Sequence, residues 1–226
     1  MDWWITQGWH SDRVLLVSWI VWVVVSIVLH ELGHGWAALR AGDPTPVESG
    51  HMTWNPLVHV PPMSWLMFAI CGICWGLMPV NPSRFRKRFD PAVVAAAGPA
   101  MNLGLGVILA VGAVLWVGHA HRFANPTLFE NVAKFLYVGV GLNFVLMIFN
   151  LMPVPPLDGS RIAANFVPAY DRFVNDPRGA IASLVGFLLL FGFLGDSVAV
   201  LGMRLAGRVI ALVGQALGPL AGAGPP

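Results

Sequence analysis

Residues 28–34 read Val28-Leu29-His30-Glu31-Leu32-Gly33-His34, VLHELGH, and close an apolar run that begins near Val14. On a helix, residues i and i+4 share one face, so His30 and His34 can set two imidazole nitrogens on one cation. Glu31 follows the first histidine directly, placed to act on water beside the ion rather than on the ion. This is the HExxH arrangement of two metal ligands and a general base. The run before it is long enough to be a membrane helix. Ionisable groups at membrane depth are costly and mark a functional site by default.

The surrounding composition agrees with a membrane setting. Of 226 residues, 57% are hydrophobic and 11% charged, whereas about a quarter of a soluble domain is charged. A soluble zinc protease is thereby excluded. A net charge of +2 gives no reason to expect a nucleic-acid partner. Apolar runs near the roughly 20 residues needed for a crossing lie at about 14–39, 63–80, 92–117, 132–152 and from Ile181 onward. The predicted class is an all-α polytopic membrane protein with roughly 4–6 membrane helices. It is read as a single membrane-embedded domain over 1–226, with its core at about 14–161 and C-terminal helices at about 180–222. Trp3, Trp4 and Trp9 precede the first span as interfacial anchors. Cys71 and Cys74 are expected to be small core residues.

A catalytic zinc site usually has three protein ligands and an open position, so a third ligand is required. Asp158 stands out in Asn150–Gly159, NLMPVPPLDG, directly after the span at 132–152. Its prolines end the helix, and Gly159 allows a tight turn that pushes the carboxylate back toward a site. The stretch 43–62, DPTPVESGHMTWNPLVHVPP, resists helix formation and reads as extended strands or turns, a short β-like loop near the site. The cluster Arg84, Arg86, Lys87 and Arg88 reads as a solvated cytoplasmic loop.

Taken together, HELGH at the end of one span, AAAGPAMN (Ala95–Asn102) in a later one and NLMPVPPLDG at the end of the next resemble the site-2 proteases, in that family's order. The resemblance covers roughly His30 to Arg161. It implies an intramembrane zinc metalloprotease with one Zn2+ per chain, held by His30, His34 and Asp158, and Glu31 as catalytic base. It further implies that Asn150 meets the substrate backbone and that Gly98, Pro99 and Asn102 shape the core helix. HMTWNPLVHV looks like the TxNPLxH element of the compact bacterial and archaeal members, with Asn55, Pro56 and His59 at matching positions. Val60-Pro61-Pro62 stands where an acidic residue commonly follows. Asn55, His59, Asn102 and Asn150 are thus the expected substrate-side residues. The implied form is the minimal one, without PDZ or CBS regions, and the implied substrates are single-pass membrane proteins. A non-catalytic membrane scaffold, or a transporter holding metal at broken helices, is the alternative. Transporters usually carry repeated halves, which this chain lacks.

His34 and Asp158 must share one side of the membrane. If the runs at 63–80 and 92–117 both crossed, the two ligands would emerge on opposite faces, so 63–80 is predicted to be re-entrant or packed without a full crossing. With that topology, Arg40, Arg84–Arg88, Arg161, Arg172 and Arg178 fall on one face, expected to be cytoplasmic. The opposite face keeps Arg13, Arg122 and Lys134. The expected setting is a bacterial or archaeal cytoplasmic membrane with the active site toward the cytoplasm. His119 and His121 are read as outer-face loop residues, while His51 and His59 fall on the site's side. Gly195-Asp196 is a candidate hairpin turn in the C-terminal region.

Overall fold

The structure is a computed structural model that describes residues 4–120 and 125–218. Trp3, His121 and Arg122 lie outside them. Helix α1 (Trp4–Ser11) leads into α2 (Arg13–Ala41), followed by the single-turn α3 (Thr45–Glu48) and α4 (Pro56–His59) and by α5 (Pro62–Cys71). Then come α6 (Asp90–His119), α7 (Pro126–Asn150), α8 (Asp158–Phe166), α9 (Pro168–Asn175) and α10 (Pro177–Leu217). Four of these, α2, α6, α7 and α10, are long and apolar enough to cross a membrane. The chain is an integral, multi-pass, all-α membrane protein.

Each span ends where its local chemistry dictates. Asp12 caps α2 by accepting from the Leu15 N–H at 3.0 Å and pairs with Lys134 Nζ of α7 at 2.6 Å. Gly42 closes the same helix at φ 100°, a left-handed conformation that side chains resist. Asn125 accepts from the Leu128 N–H at 2.8 Å, and Pro126 opens α7. Bundle contacts are close where residues are small, as expected between membrane helices. A side-chain carbon on Gly33 of α2 would strike the Ala97 carbonyl of α6, and one on Gly139 of α7 would strike Trp22 of α2. Trp22 also donates from Nε1 to the Phe135 carbonyl at 2.8 Å.

The run at 63–80 forms no helix long enough to cross. With 10 residues, α5 reaches only about 15 Å, half of a hydrocarbon core of about 30 Å. Its tip, at Gly72, packs against Trp4, which donates from Nε1 to the Ala69 carbonyl at 3.1 Å. So Trp4 of α1 ties the N-terminus to the end of α5. From Gly72 the chain returns without regular structure to Asn81, pinned by Ser64 Oγ to Trp75 N–H at 2.8 Å and by Leu77 N–H to the His59 carbonyl at 2.8 Å. The helix ends between the two cysteines, leaving Cys71 exposed and Cys74 half-buried rather than together in the core.

Two further expectations are corrected. The 43–62 stretch is not β-like; no strand forms among the described residues. It folds as turns around α3 and α4, because its prolines sit at first-turn positions where a missing N–H costs nothing and Asn55 caps α4 by accepting from Leu57 N–H at 3.0 Å. The longest stretch without regular structure on this side is instead at 73–81. In the C-terminal region Gly195-Asp196 makes no hairpin: α10 runs unbroken for 41 residues, about 60 Å. Tertiary packing carries the helix through this pair: Gly202 lets α10 rest on the Val145 backbone.

Asp43 was not singled out from the sequence, yet it ties this side of the protein together. Fully buried, it accepts from Asn81 N–H at 2.6 Å, from Thr45 N–H at 3.0 Å and from the Thr45 hydroxyl. Burial pushes its carboxyl up, but those donors and the Arg84 charge outweigh it and hold the group below its ordinary value. The sign follows: its stabilisation is present above the unfolded carboxyl range of about 3.9 and is lost as pH falls through the lower folded value. Asp43→Ala leaves the part-buried Asn81 and Thr45 donors without their acceptor and should cost about 2 kcal/mol, read as a lowered melting temperature in detergent at neutral pH.

Candidate metal centre

Helix α2 presents His30 and His34 one turn apart, both buried, toward Gly98 of α6. Each ring is held from behind. His34 Nδ1 lies 2.7 Å from the Val94 carbonyl, and His30 Nδ1 lies 2.6 Å from Asn102 Oδ1. A carbonyl oxygen can only accept, so Nδ1 donates in both rings and the Nε2 lone pairs face inward. The two Nε2 atoms are 3.0 Å apart. Lone pairs cannot bond to each other; a cation between them resolves the contact.

Asp158 completes the group. Its Oδ2 is 3.0 Å from His30 Nε2 and its Oδ1 3.3 Å from His34 Nε2. Oδ2 is buried and has no hydrogen-bond partner, since both facing Nε2 atoms present lone pairs. The carboxylate arrives at the start of α8 because the chain doubles back tightly after α7. A side-chain carbon on Gly159 would run into the carbonyls of Leu151 and Met152. The glycine is thus needed for close backbone approach, its φ being ordinary. The three side chains form the one cluster of metal-ligating groups among the described residues. Two imidazoles and a carboxylate are a zinc donor set. Bond lengths of about 2.0–2.1 Å at a tetrahedral ion require donor separations of about 3.3 Å, close to those seen. The residues present fit zinc.

Glu31 is buried beside His30, its carboxylate lying against Gly76 of the returning irregular segment, where a side-chain carbon would displace it. It lies outside the ligand cluster. The residues expected on the substrate side separate into two kinds. His59 is fully buried, with Nε2 2.7 Å from the Thr53 carbonyl, and Asn102 is 1% exposed with its amide oxygen and nitrogen both bonded inside the protein. Neither presents a free surface to a substrate; both hold structure around the site. Asn55 is exposed but serves as the cap of α4. Asn150, the last residue of α7, is half-buried and donates to the Leu146 carbonyl at 3.1 Å. His51 turns its Nδ1 to Ser49.

Sequence reasoning missed Asn143. It is fully buried in α7, accepts from Asn102 Nδ2 at 3.0 Å and donates to the Gly139 carbonyl at 2.9 Å. The signal was available: a carboxamide in the middle of an apolar span has few reasons to be there.

A model of peptidase family M50 matches residues 18–193, a stretch that contains all three clustered side chains and Glu31. The chain belongs to that family, and with its four apolar spans it is a membrane metalloprotease. It is 35% identical to Bacillus subtilis "Putative zinc metalloprotease YwhC" over 76% of this chain and 78% of that one. Rip2 of Mycolicibacterium smegmatis, with the same designation, is 30% identical over 65% of this chain and 54% of its own. Rip3 of Mycobacterium tuberculosis, likewise so designated, is 31% identical over 88% of this chain and 37% of its own. The chain thus spans about half of Rip2 and little more than a third of Rip3. No solved structure matches it.

Proposed function

We propose that this chain is an intramembrane zinc endopeptidase that hydrolyses peptide bonds in or near the transmembrane helices of single-pass membrane proteins. The carrying observation is the convergence of His30, His34 and Asp158 around one point, with Glu31 adjacent and buried in the same span. In this reading His30, His34 and Asp158 hold one zinc ion per chain. When bound, zinc supplies a Lewis acid that polarises the scissile carbonyl and lowers the pKa of water. Glu31 takes the proton from the attacking water and returns it to the leaving amine. Asn150, at the rim, donates to the substrate backbone.

A helical substrate hides its carbonyls in i→i−4 bonds and must unwind locally. The irregular segment at 73–81 passes Glu31 at Gly76. The N–H groups of Trp75 and Leu77 are bonded inward to Ser64 and His59, so those of Gly76 and Met78 alternate to the other edge and are available to an unwound strand. The positively charged face is assigned to the cytoplasm, which puts the zinc end of α2 toward that side of a bacterial or archaeal membrane.

The test is metal analysis and cleavage of a single-pass substrate in detergent. Wild-type protein should bind zinc and cleave, and Asp158→Ala should lose most of its zinc and all turnover. Full zinc occupancy in Asp158→Ala would show that the third ligand lies elsewhere.

A further inference from the structure

Behind His30 the hydrogen bonds form a directional chain. The Gly139 carbonyl can only accept, so Asn143 must turn its Nδ2 toward it, at 2.9 Å. Asn143 Oδ1 therefore faces Asn102, which must present Nδ2 to it, at 3.0 Å. That leaves Asn102 Oδ1 facing His30 Nδ1, at 2.6 Å, and the ring must carry its proton there. His34 needs no such chain, since its Nδ1 meets the backbone carbonyl of Val94 directly. All three relay side chains are buried, Asn102 at 1% and Asn143 at 0% exposure, so water cannot substitute for a missing partner.

We propose that Asn143 is a positioning residue that, through Asn102, keeps the proton of His30 on Nδ1 and its Nε2 free for the metal. This rests on the reading that His30, His34 and Asp158 hold zinc. Without Asn143, nothing holds the Asn102 amide in one sense. Rotated by half a turn, Asn102 offers Nδ2 to the ring, Nδ1 becomes the acceptor, and the proton moves to Nε2, where it blocks the metal. Partners behind a ligating histidine typically influence metal affinity by about 10–100-fold.

Asn143→Leu, which keeps bulk and removes the relay, should weaken zinc binding by about 10–100-fold in competition with a chelator. Adding Asn102→Asp should restore most of that loss, because a carboxylate accepts from Nδ1 and has no donor to turn into its place. A purely space-filling Asn143 would not be rescued this way. In zinc-free, nitrogen-15 histidine-labelled wild type above the ordinary imidazole range of about 6.5, His30, assigned by difference against His30→Gln, should be protonated on Nδ1. Asn143→Leu should change His30 and leave His34 as it was. Wild-type zinc affinity in Asn143→Leu, no rescue by Asn102→Asp, or an Nε2 proton on His30 in the wild type would each overturn the proposal. The wild-type measurement decides should Asn143→Leu fail to fold. A wild type that binds no zinc would instead overturn the metal reading, and the tautomer measurement makes no use of zinc.

Discussion

Glu31→Gln retains zinc and loses peptide-bond cleavage, with kcat reduced by about 10²–10⁴-fold. Glutamine has the shape of glutamate, so the tight fit against Gly76 is preserved, but its amide cannot take up a proton at neutral pH. Glu31 stands outside the cluster of His30, His34 and Asp158, so metal content should not follow activity. This separation of two readouts distinguishes a base from a ligand: a fourth ligand would lower both together. Zinc content by elemental analysis and single-turnover cleavage of a single-pass substrate give the two numbers. Turnover near the wild-type level would remove Glu31 from the mechanism.

Much of this centre was legible because its parts are short-range patterns. The HELGH spacing places His30 and His34 on one face through helix geometry alone. The requirement that Asp158 meet them on one side of the membrane argued against a full crossing at 63–80, and α5 with its 10 residues is too short for one. What stayed hidden depends on contacts between distant elements. Asn102 read as a substrate-side residue because sequence cannot show that its two amide atoms are occupied by His30 and Asn143, 72 and 41 positions away. Prolines at 44–62 suggested extended chain, but proline equally opens helices, and here Asn55 and its neighbours use it that way. Gly195-Asp196 resembled a turn in isolation. Only the packing of Gly202 on Val145 shows why the helix continues.

Gly98→Ala should remove zinc binding, with affinity reduced by about 100-fold or more, while the zinc-free fold stays intact. Alanine is the better helix residue by about 1 kcal/mol, and the backbone at Gly98 is ordinary helix, so α6 itself gains. The cost falls wholly on the site. The added methyl would overlap Nε2 of both His30 and His34, and one of three things must give. The helices cannot part freely, since α2 and α6 are also pressed together at Gly33, where a side-chain carbon would sit 2.8 Å from the Ala97 carbonyl. The methyl cannot yield, having no torsion that moves it. The rings must therefore turn, which breaks the bonds from Nδ1 to Val94 and Asn102 and points the lone pairs away from Asp158. Gly104→Ala on the same helix is the control, because nothing lies within 4 Å of its added carbon. Chelator competition and thermal melts on both variants check the argument. Equal zinc affinity in Gly98→Ala and Gly104→Ala would mean that α2 and α6 separate at little cost and that Gly98 does not form the wall behind the metal.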